Sequence, residues 1–266
     1  MNSTAKEKYE FLKKILSSKE KIAVAYSGGA DSALLSAIAA SLPGTDAVGI
    51  FLNSPLVPER EYESAIKTAE EIGILLIVVD FDPLFIDGFS KNQKKRCYLC
   101  KKEMMKIIKG TAEQNGISDI ADGLNASDIS EFRPGILACE EEGVWHPFVD
   151  ADITKKEIRE ISRSLGFSFA DKPSSACLAS RIPYGDLITA EKLKIIESAE
   201  EVLFSLCLST VRVRAHGDIA RIETSSDDFE KIIKNRELIA GEFKKLGFSY
   251  ICLDIEGFRS GSLDRP

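Results

Sequence analysis

The first part of the chain alternates short apolar runs with longer stretches in which apolar residues recur at helical spacing. Runs of the first kind predict strands, and stretches of the second kind predict helices. The predicted strands are 22–26, 47–53, 74–80 and a short 119–122, and the predicted helices are 33–41, 58–72, 101–115 and 154–165. Because strands that alternate with helices form parallel sheets, we predict an α/β fold with a doubly wound parallel sheet.

The last of these helices carries signals at both ends. Thr154 is followed three residues later by Glu157, the spacing of a capping box, in which each side chain bonds the other residue's backbone N–H. Gly166 stands where helices commonly end in a left-handed residue. The sequence therefore predicts both boundaries of this helix from local features alone.

The pattern changes after residues 173–186, a stretch rich in proline, serine and glycine. An amphipathic helix is predicted from Thr189 to about Leu206. The elements predicted after it are the strand 210–214, a turn at 216–218, the strand 219–223, a helix at about 226–246 and the strand 250–255. We therefore predict a first domain of residues 1–185 and a smaller α+β domain of residues 186–266.

Composition narrows the class of protein. The chain has 266 residues, of which 44% are hydrophobic, enough for one large domain or two unequal ones. No apolar run approaches the roughly 18–20 residues of a membrane span, and the first residues lack an apolar signal segment, so we expect a soluble, cytoplasmic protein. The net charge of −7, with one basic cluster at 91–96, argues against a large nucleic-acid surface.

The stretch 27–32, Ser-Gly-Gly-Ala-Asp-Ser, joins the first predicted strand to a helix rich in small residues. Glycines allow the backbone to approach a phosphate, while the N–H groups and dipole of a helix N-terminus favour negative charge. The turn lacks the Gly-Lys-Ser/Thr ending of a Walker A loop. A second polar segment, Asp122–Asp128, follows the end of another predicted strand, where doubly wound folds place their ligands.

Three cysteines have a pattern suited to metal binding. Cys97 and Cys100 form a C-x-x-C pair at the start of a predicted helix, beside cations that favour thiolates, and Cys177 lies in the stretch 173–181. Structural zinc requires four ligands, and the chain has only two histidines, whereas three cysteines can hold a [4Fe–4S] cluster that leaves one iron open. A thioredoxin-like redox pair and a zinc site completed by a histidine or a partner chain stay open as alternatives.

The other cysteines, Cys139, Cys207 and Cys252, lie in apolar periodic stretches, so we expect them to be buried by packing. Trp145 and His146 are expected to belong to a loop wall, and we assign His146 no chemistry.

The turn at 27–32 resembles the signature of the PP-loop ATP pyrophosphatases, which cleave ATP between the α and β phosphates and adenylate an oxygen of their substrate. Longer segments resemble the LarE family of pyridinium-3,5-biscarboxylic acid mononucleotide sulfurtransferases. These segments are 96–101, 173–185, the hairpin 212–223 and the ending 254–262. The resemblance runs along nearly the whole chain, and the Cys177 segment and the hairpin are its most specific parts.

The resemblance implies that ATP adenylates a pyridinium carboxylate, that sulfur displaces AMP, and that the thiocarboxylate leads to the nickel-pincer nucleotide of lactate racemase. In the single-cysteine branch, the cysteine that matches Cys177 gives up its own sulfur and becomes dehydroalanine. This chain also carries Cys97 and Cys100, so it resembles the three-cysteine branch, in which a [4Fe–4S] cluster delivers an extra sulfide. A higher homo-oligomer and a sulfide or sulfur donor system are further implications.

Residue roles follow from the motifs and the resemblance together. Cys177, Cys97, Cys100, Asp31 and Arg181 are the predicted catalytic residues, and the three cysteines are also the predicted metal ligands. ATP and its Mg²⁺ are assigned to Ser27, Gly28, Gly29, Asp31, Ser32, Asn53, Ser54, Gly123, Asn125 and Asp128. Arg133, Arg181, Arg212 and Arg214 are candidates for phosphate groups, because guanidinium forks bind phosphate bidentately. For Arg212 and Arg214 the alternative is an exposed strand face, and for Glu200, a candidate acidic or metal-binding group, it is solvated helix surface.

Three other functions were weighed against sulfur transfer to a small nucleotide. A PP-loop tRNA thiolase can also use three cysteines and a cluster, but the acidic charge and the lack of a basic stripe oppose it. An ammonia-using PP-loop ligase would need no Cys177. A zinc-stabilised regulator would bind ATP without turnover.

Overall fold

The computed structural model describes residue 1 and residues 3–129, 134–208 and 210–259. These residues form two compact units. The first contains the described residues of Met1–Asp82 and Cys97–Ser175, and the second contains Pro83–Arg96 and the described residues of Ala176–Pro266. The functional domain boundary predicted between residues 185 and 186 stays a prediction.

In the described part of the first unit, four strands form a parallel sheet in the order β3-β2-β1-β4. They are β1 (Lys21–Ala25), β2 (Asp46–Asn53), β3 (Leu75–Asp80) and β4 (Ile120–Ala121). The central strand β1 pairs with β2 on one side, and its Ala23 and Val24 pair with Ile120 and Ala121 on the other. Three successive residues of β1 are fully buried, as expected for a strand covered on both faces. The doubly wound parallel sheet predicted from the sequence is confirmed.

Helices precede, connect and follow these strands. They are α1 (Ser3–Leu16), α2 (Ala30–Ser41), α3 (Glu59–Ile72), α4 (Arg96–Gln114), α5 (Ala126–Ile129), α6 (Pro134–Glu141), α7 (Pro147–Asp150) and α8 (Lys155–Ser164). The small, apolar helix α2 is buried almost all round, and its Leu34, Leu35 and Ile38 belong to a core that includes Ile22 of β1 and Ile158 of α8. This core fixes the start of α2 against the end of β1.

Local signals set several boundaries. The capping box at α8 is confirmed, because the Glu157 N–H donates to Thr154 Oγ1 and the Thr154 N–H donates to Glu157 Oε2. Gly166 follows the helix with a φ of 82°. Two predicted starts were late: α2 begins at Ala30 rather than at 33, and α4 begins at Arg96 rather than at 101. Asp31 and Ser32 of the glycine turn therefore lie in the first turn of α2, and Cys97 lies in the first turn of α4.

The second unit contains α9 (Ala190–Ser205), β5 (Val211–His216), β6 (Ile219–Thr224), α10 (Phe229–Lys234), α11 (Arg236–Lys245) and β7 (Tyr250–Leu253). β5 and β6 form the predicted antiparallel hairpin, and β7 pairs parallel with β6. The single helix predicted at about 226–246 is wrong, because the chain leaves helical geometry at Asn235. The Asn235 amide donates to the Lys231 carbonyl at 2.8 Å, the kind of local bond that competes with helix continuation.

No helix in the described residues is both long enough and apolar enough to cross a membrane.

Candidate functional site

The glycine turn is held by its own hydroxyls. The Ser27 and Ser32 hydroxyl oxygens are 3.0 Å apart, and the Ser27 N–H donates to Ser32 Oγ at 3.1 Å. Gly28 has a φ of 69°, and a Cβ at this position would lie 2.4 Å from the Ala65 Cβ of α3. Both the left-handed backbone and the close approach require glycine.

The second polar segment lies against this turn, because β4 and β1 are neighbours and both run toward the same edge of the sheet. Gly123 makes the closest approach: a Cβ there would lie 2.7 Å from the Ser32 backbone nitrogen and 3.1 Å from the Asp31 Cβ. The Asn125 amide donates to Asp128 Oδ2 at 2.6 Å, which orders the segment that follows. The structure thus brings together two motifs that are about ninety residues apart.

A cavity of about 340 Å³ opens where the two segments meet. Its lining includes Ala25, Ser27, Asp31, Ser32, Lys101, Asp122, Gly123, Leu124, Asp128, Gly135, Ile136 and Cys139. The recess is bounded by the N-terminus of α2, by the backbone at Gly123 and Gly135, and by Lys101. This combination is suited to a phosphate-bearing ligand.

The pKa values of two carboxyl groups in the cavity are shifted in opposite directions. Burial raises the pKa of Asp31, and the ion pair with the Lys155 ammonium of α8 opposes this shift only in part. Burial also acts to raise the pKa of Asp122, but the bond to His146 and the charge of Lys101 outweigh it, so this pKa is lowered. The His146 Nδ1 and the Asp122 Oδ1 are 2.7 Å apart. Asp122 is therefore an ionised carboxylate held in place by His146, whereas burial disfavours the ionised form of Asp31.

Cys139 is buried beside this recess, as predicted. Burial is the main cause that raises the pKa of its thiol to about 12. A thiol of that pKa stays protonated near neutral pH, and a protonated thiol is a poor nucleophile. The prediction of burial is wrong for Cys207 and Cys252, because Cys207 lies in the turn after α9 and Cys252 lies on the exposed face of β7.

Other predicted nucleotide residues lie at the ends of neighbouring strands. The Asn53 amide donates to Asp80 Oδ1 at 2.8 Å, which ties the ends of β2 and β3 together. The Ser54 hydroxyl accepts from the Leu56 N–H at 3.2 Å and is buried. Arg133 lies outside the described residues. The binding roles of these three residues stay predictions.

The C-x-x-C pair occupies the first turn of α4. Residues three apart are neighbours on the surface of a helix, although Cys100 is buried. The Cys97 side chain is exposed, and the Cys100 sulfur lies 3.8 Å from the Met104 sulfur. Across the described residues, no three histidine, cysteine or carboxylate side chains are grouped as a metal site.

In the second unit, Cys177 caps a short 3₁₀ turn, Leu178–Arg181. Its carbonyl oxygen accepts from the Ser180 hydroxyl at 2.8 Å and from the Arg181 guanidinium at 3.1 Å, while its side chain is exposed. Arg181 also donates to the Ala176 carbonyl at 2.5 Å. The Arg181 guanidinium therefore bonds the backbone carbonyls of Ala176 and Cys177 and holds the backbone of the cysteine in place.

Buried ion pairs surround this turn. Arg181 is fully buried and pairs with Glu200, so the solvated-surface alternative for Glu200 is wrong. Arg214 pairs with Glu223 at 2.8 Å and donates to the Ser180 carbonyl at 2.6 Å. Arg212 and Arg214 are 8% and 5% exposed, so the alternative of an exposed strand face is also wrong. Glu223 balances the charge of Arg214, whereas the Arg212 guanidinium donates to the Val211 carbonyl at 2.7 Å and lies 5.3 Å from the centre of the Phe258 ring.

Comparisons with known proteins identify the family. The family model for NAD synthase matches residues 4–113, which include the glycine turn. An uncharacterised protein of Synechocystis sp. is 36% identical over 260 residues, 97% of each chain. The pyridinium-3,5-bisthiocarboxylic acid mononucleotide synthase of Lactiplantibacillus plantarum is 33% identical over 246 residues, 92% of this chain and 89% of that one. The chain belongs to the LarE family of ATP-using sulfurtransferases.

A tRNA-specific 2-thiouridylase of Limosilactobacillus fermentum is also similar, but at 27% identity over 59% of this chain and 51% of its own. This shorter match does not favour the tRNA thiolase alternative over LarE chemistry.

Sequence reasoning missed two cations beside the recess. Lys101 lines the cavity although its only signal was its place after the C-x-x-C pair. Lys155 reaches Asp31 from the first turn of α8, and nothing in the spacing of the two residues indicated the pair. His146, to which no chemistry was assigned, fixes the Asp122 carboxylate.

Proposed function

We propose that this chain uses ATP to adenylate a carboxylate of pyridinium-3,5-biscarboxylic acid mononucleotide and then inserts sulfur to give the thiocarboxylate. The product serves as the precursor of the nickel-pincer nucleotide of lactate racemase. The observation that carries the proposal is similarity along almost the whole chain to a synthase named for the bisthiocarboxylic product. The recess between the two polar turns supports an ATP site in the same unit.

The chemistry needs activation because a carboxylate is a poor electrophile. A carboxylate oxygen attacks the α-phosphorus of ATP, the bond to the bridging oxygen breaks, and pyrophosphate leaves. Sulfide then attacks the acyl carbon, the carbon–oxygen bond breaks, and AMP leaves with one oxygen of the original carboxylate. Holding both partners in place lowers the barrier of each step by several kcal/mol when the geometry is right.

The residues of the recess have natural roles in the first step. The N–H groups of the turn Ser27–Ser32 would bind the β and γ phosphates, and Asp31 with Asp128 would hold Mg²⁺, which prefers carboxylate oxygens. Asn53, Gly123 and Asn125 would shape the nucleotide site. The phosphate role of Arg181, Arg212 and Arg214 stays a prediction, because all three are buried and Arg181 and Arg214 are already paired with Glu200 and Glu223.

For the sulfur source, we propose a [4Fe–4S] cluster held by Cys97, Cys100 and Cys177. The proposal is supported by the chemistry of the donors: Cys97 and Cys100 are three residues apart on one helix, and the third thiol, that of Cys177, is exposed. When bound, such a cluster supplies an iron with an open position that holds the sulfide to be transferred. The chain's own part is to present the thiolates and keep the Cys177 backbone fixed through Arg181.

The test of sulfur transfer is an anaerobic assay with substrate labelled by oxygen-18 in its carboxylates. We expect thiocarboxylate product together with labelled AMP and unlabelled pyrophosphate. Cys177→Ala should abolish the product but leave AMP formation detectable, and Cys252→Ala, which removes another exposed cysteine, should behave as wild type. Unlabelled AMP, or product from Cys177→Ala, would refute the mechanism.

The test of the cluster is the iron content after anaerobic reconstitution. We expect about four irons per chain in the wild type and in Cys252→Ala, and loss of iron in Cys97→Ala and Cys100→Ala. Stoichiometric zinc in colourless protein would contradict the cluster. A loss of about 34 Da from Cys177 after turnover, the mass of one H₂S, would instead indicate that the cysteine gives its own sulfur to the product and becomes dehydroalanine.

We also propose that the protein works as a homo-oligomer in the cytoplasm, as the family resemblance implies. Light scattering of the purified chain tests the first part, and a monomeric mass would contradict it.

A further inference from the structure

Lys172 occupies a constrained place in the first unit. It ends the 3₁₀ turn Ser168–Asp171, where its N–H donates to the Phe169 carbonyl at 3.0 Å. Pro173 follows it, and a residue before proline is restricted to extended backbone, in agreement with the φ of −57° and ψ of 124° at Lys172. The direction in which the lysine side chain leaves the backbone is therefore fixed from both sides.

The Lys172 ammonium has three acceptors within bonding distance. It donates to the Gly28 carbonyl oxygen at 3.0 Å and to the Ser64 hydroxyl at 2.9 Å, and it pairs with Glu61 Oε2 at 3.1 Å. A lysine has three N–H donors, so these partners occupy its full capacity. The side chain is 16% exposed. An ammonium in this state could bind a phosphate only by giving up one of these bonds.

The bond to Gly28 controls the direction of the next N–H. The Gly28 carbonyl and the Gly29 N–H belong to one planar trans peptide and point to opposite sides. Gly28 itself is left-handed and presses against Ala65, yet glycine has little intrinsic resistance to rotation. Holding the carbonyl toward α3 thus aims the Gly29 N–H away from α3, to the side where the Ser27 hydroxyl oxygen accepts from it at 3.4 Å and where α2 begins. A helix N-terminus of this kind favours anions.

We infer that Lys172 is a positioning residue for ATP, which fixes the Gly28–Gly29 peptide through the Gly28 carbonyl and does not itself bind phosphate. The inference rests on the proposed function in taking ATP as the ligand. In the sequence, Lys172 stands five residues before Cys177.

The test compares how much ATP with Mg²⁺ raises the melting temperature of the wild type, Lys172→Met and Lys172→Arg, each as the full chain. A ligand stabilises the folded state according to its affinity, so a weaker site gives a smaller rise. We expect both variants to bind ATP about tenfold more weakly, because the planar arginine fork keeps the charge but cannot reproduce three pyramidal donors.

The variants separate the possible roles. A purely structural lysine would lower the melting temperature without ATP and leave the ATP-induced rise unchanged, which would overturn the inference. Wild-type ATP affinity in Lys172→Arg would also overturn it, because charge alone would then suffice. If Lys172→Met does not fold, Lys172→Arg and Ser64→Ala, which removes one acceptor, carry the test, with weaker ATP binding expected in both. If ATP fails to stabilise even the wild type, the proposed function fails as well.

Discussion

Glu200 holds Arg181 by two parallel bonds, from Nε to Oε1 at 2.9 Å and from Nη2 to Oε2 at 3.0 Å, with both side chains almost fully buried. The same Oε1 accepts the Val213 N–H at 2.9 Å, so one carboxylate joins the 3₁₀ turn of Cys177 to strand β5. The position of the Cys177 backbone therefore depends on a charge pair buried beneath it.

Glu200→Gln should lower the free energy of unfolding by about 3 kcal/mol, because it leaves the buried Arg181 charge without its counter-ion. Urea unfolding measures the effect. Glu201→Gln, one residue further along α9 on the exposed side, should change stability by less than about 0.5 kcal/mol. Equal midpoints for the two variants would show that the pair contributes little.

Gly28→Ala should weaken ATP binding at least about tenfold, since the new Cβ would both strain a left-handed residue and meet Ala65 at 2.4 Å. Gly44→Ala is the matched control: its φ is 80°, but a Cβ there has open space. We expect Gly44→Ala to lose about 1 kcal/mol of stability and to bind ATP normally. Calorimetric titration with ATP distinguishes the two results.

Asp31→Asn should stabilise the protein near neutral pH while abolishing AMP formation. Burial raises the Asp31 pKa above 3.8, so ionisation of this carboxyl costs stability, and the loss develops as the pH rises from 3.8 through the raised value. The variant lacks that loss. Urea midpoints at about pH 4 and about pH 8 provide the measurement, and a lower midpoint for Asp31→Asn at the higher pH would mean that the Lys155 pair outweighs burial.

His216 should make the protein less stable in mild acid. Burial, followed by the charge of Arg221, lowers the His216 pKa below 6.5, so the neutral ring contributes stability above pH 6.5 that is lost as the pH falls through the lowered value. His216→Gln should flatten this part of the stability profile, measured by unfolding between about pH 7.5 and about pH 5. An unchanged slope would exclude His216 as the cause.

The sequence predicted features that depend on neighbours along the chain. The Thr154–Glu157 capping box, the hairpin around Gly217 and the turn at Gly28 all depend on residues a few positions apart, and local chemistry is enough to specify them. The late starts predicted for α2 and α4 have a local cause too, because the polar first turn of a helix lacks the apolar spacing from which helices are recognised.

Contacts between residues far apart in the chain could not be predicted from the sequence. Lys172 and Gly28 are 144 positions apart, and Lys155 and Asp31 are 124 apart, so neither pair leaves a spacing signal. For Arg214 and Glu200, exposed surface stayed open as an alternative, because strand alternation and helix periodicity do not reveal a partner that makes burial of a charge tolerable. Cys207 and Cys252 show the reverse error, since an apolar neighbourhood in sequence did not bury them.

The most direct test of ATP-driven sulfur transfer is the mass of the pyridinium nucleotide after anaerobic incubation of the reconstituted protein with ATP, Mg²⁺ and isotopically labelled sulfide. We predict that a carboxylate oxygen is replaced by labelled sulfur, in more than one product molecule per chain, with Cys177 intact. Nucleotide recovered at its starting mass while ATP is consumed would contradict sulfur transfer by this protein.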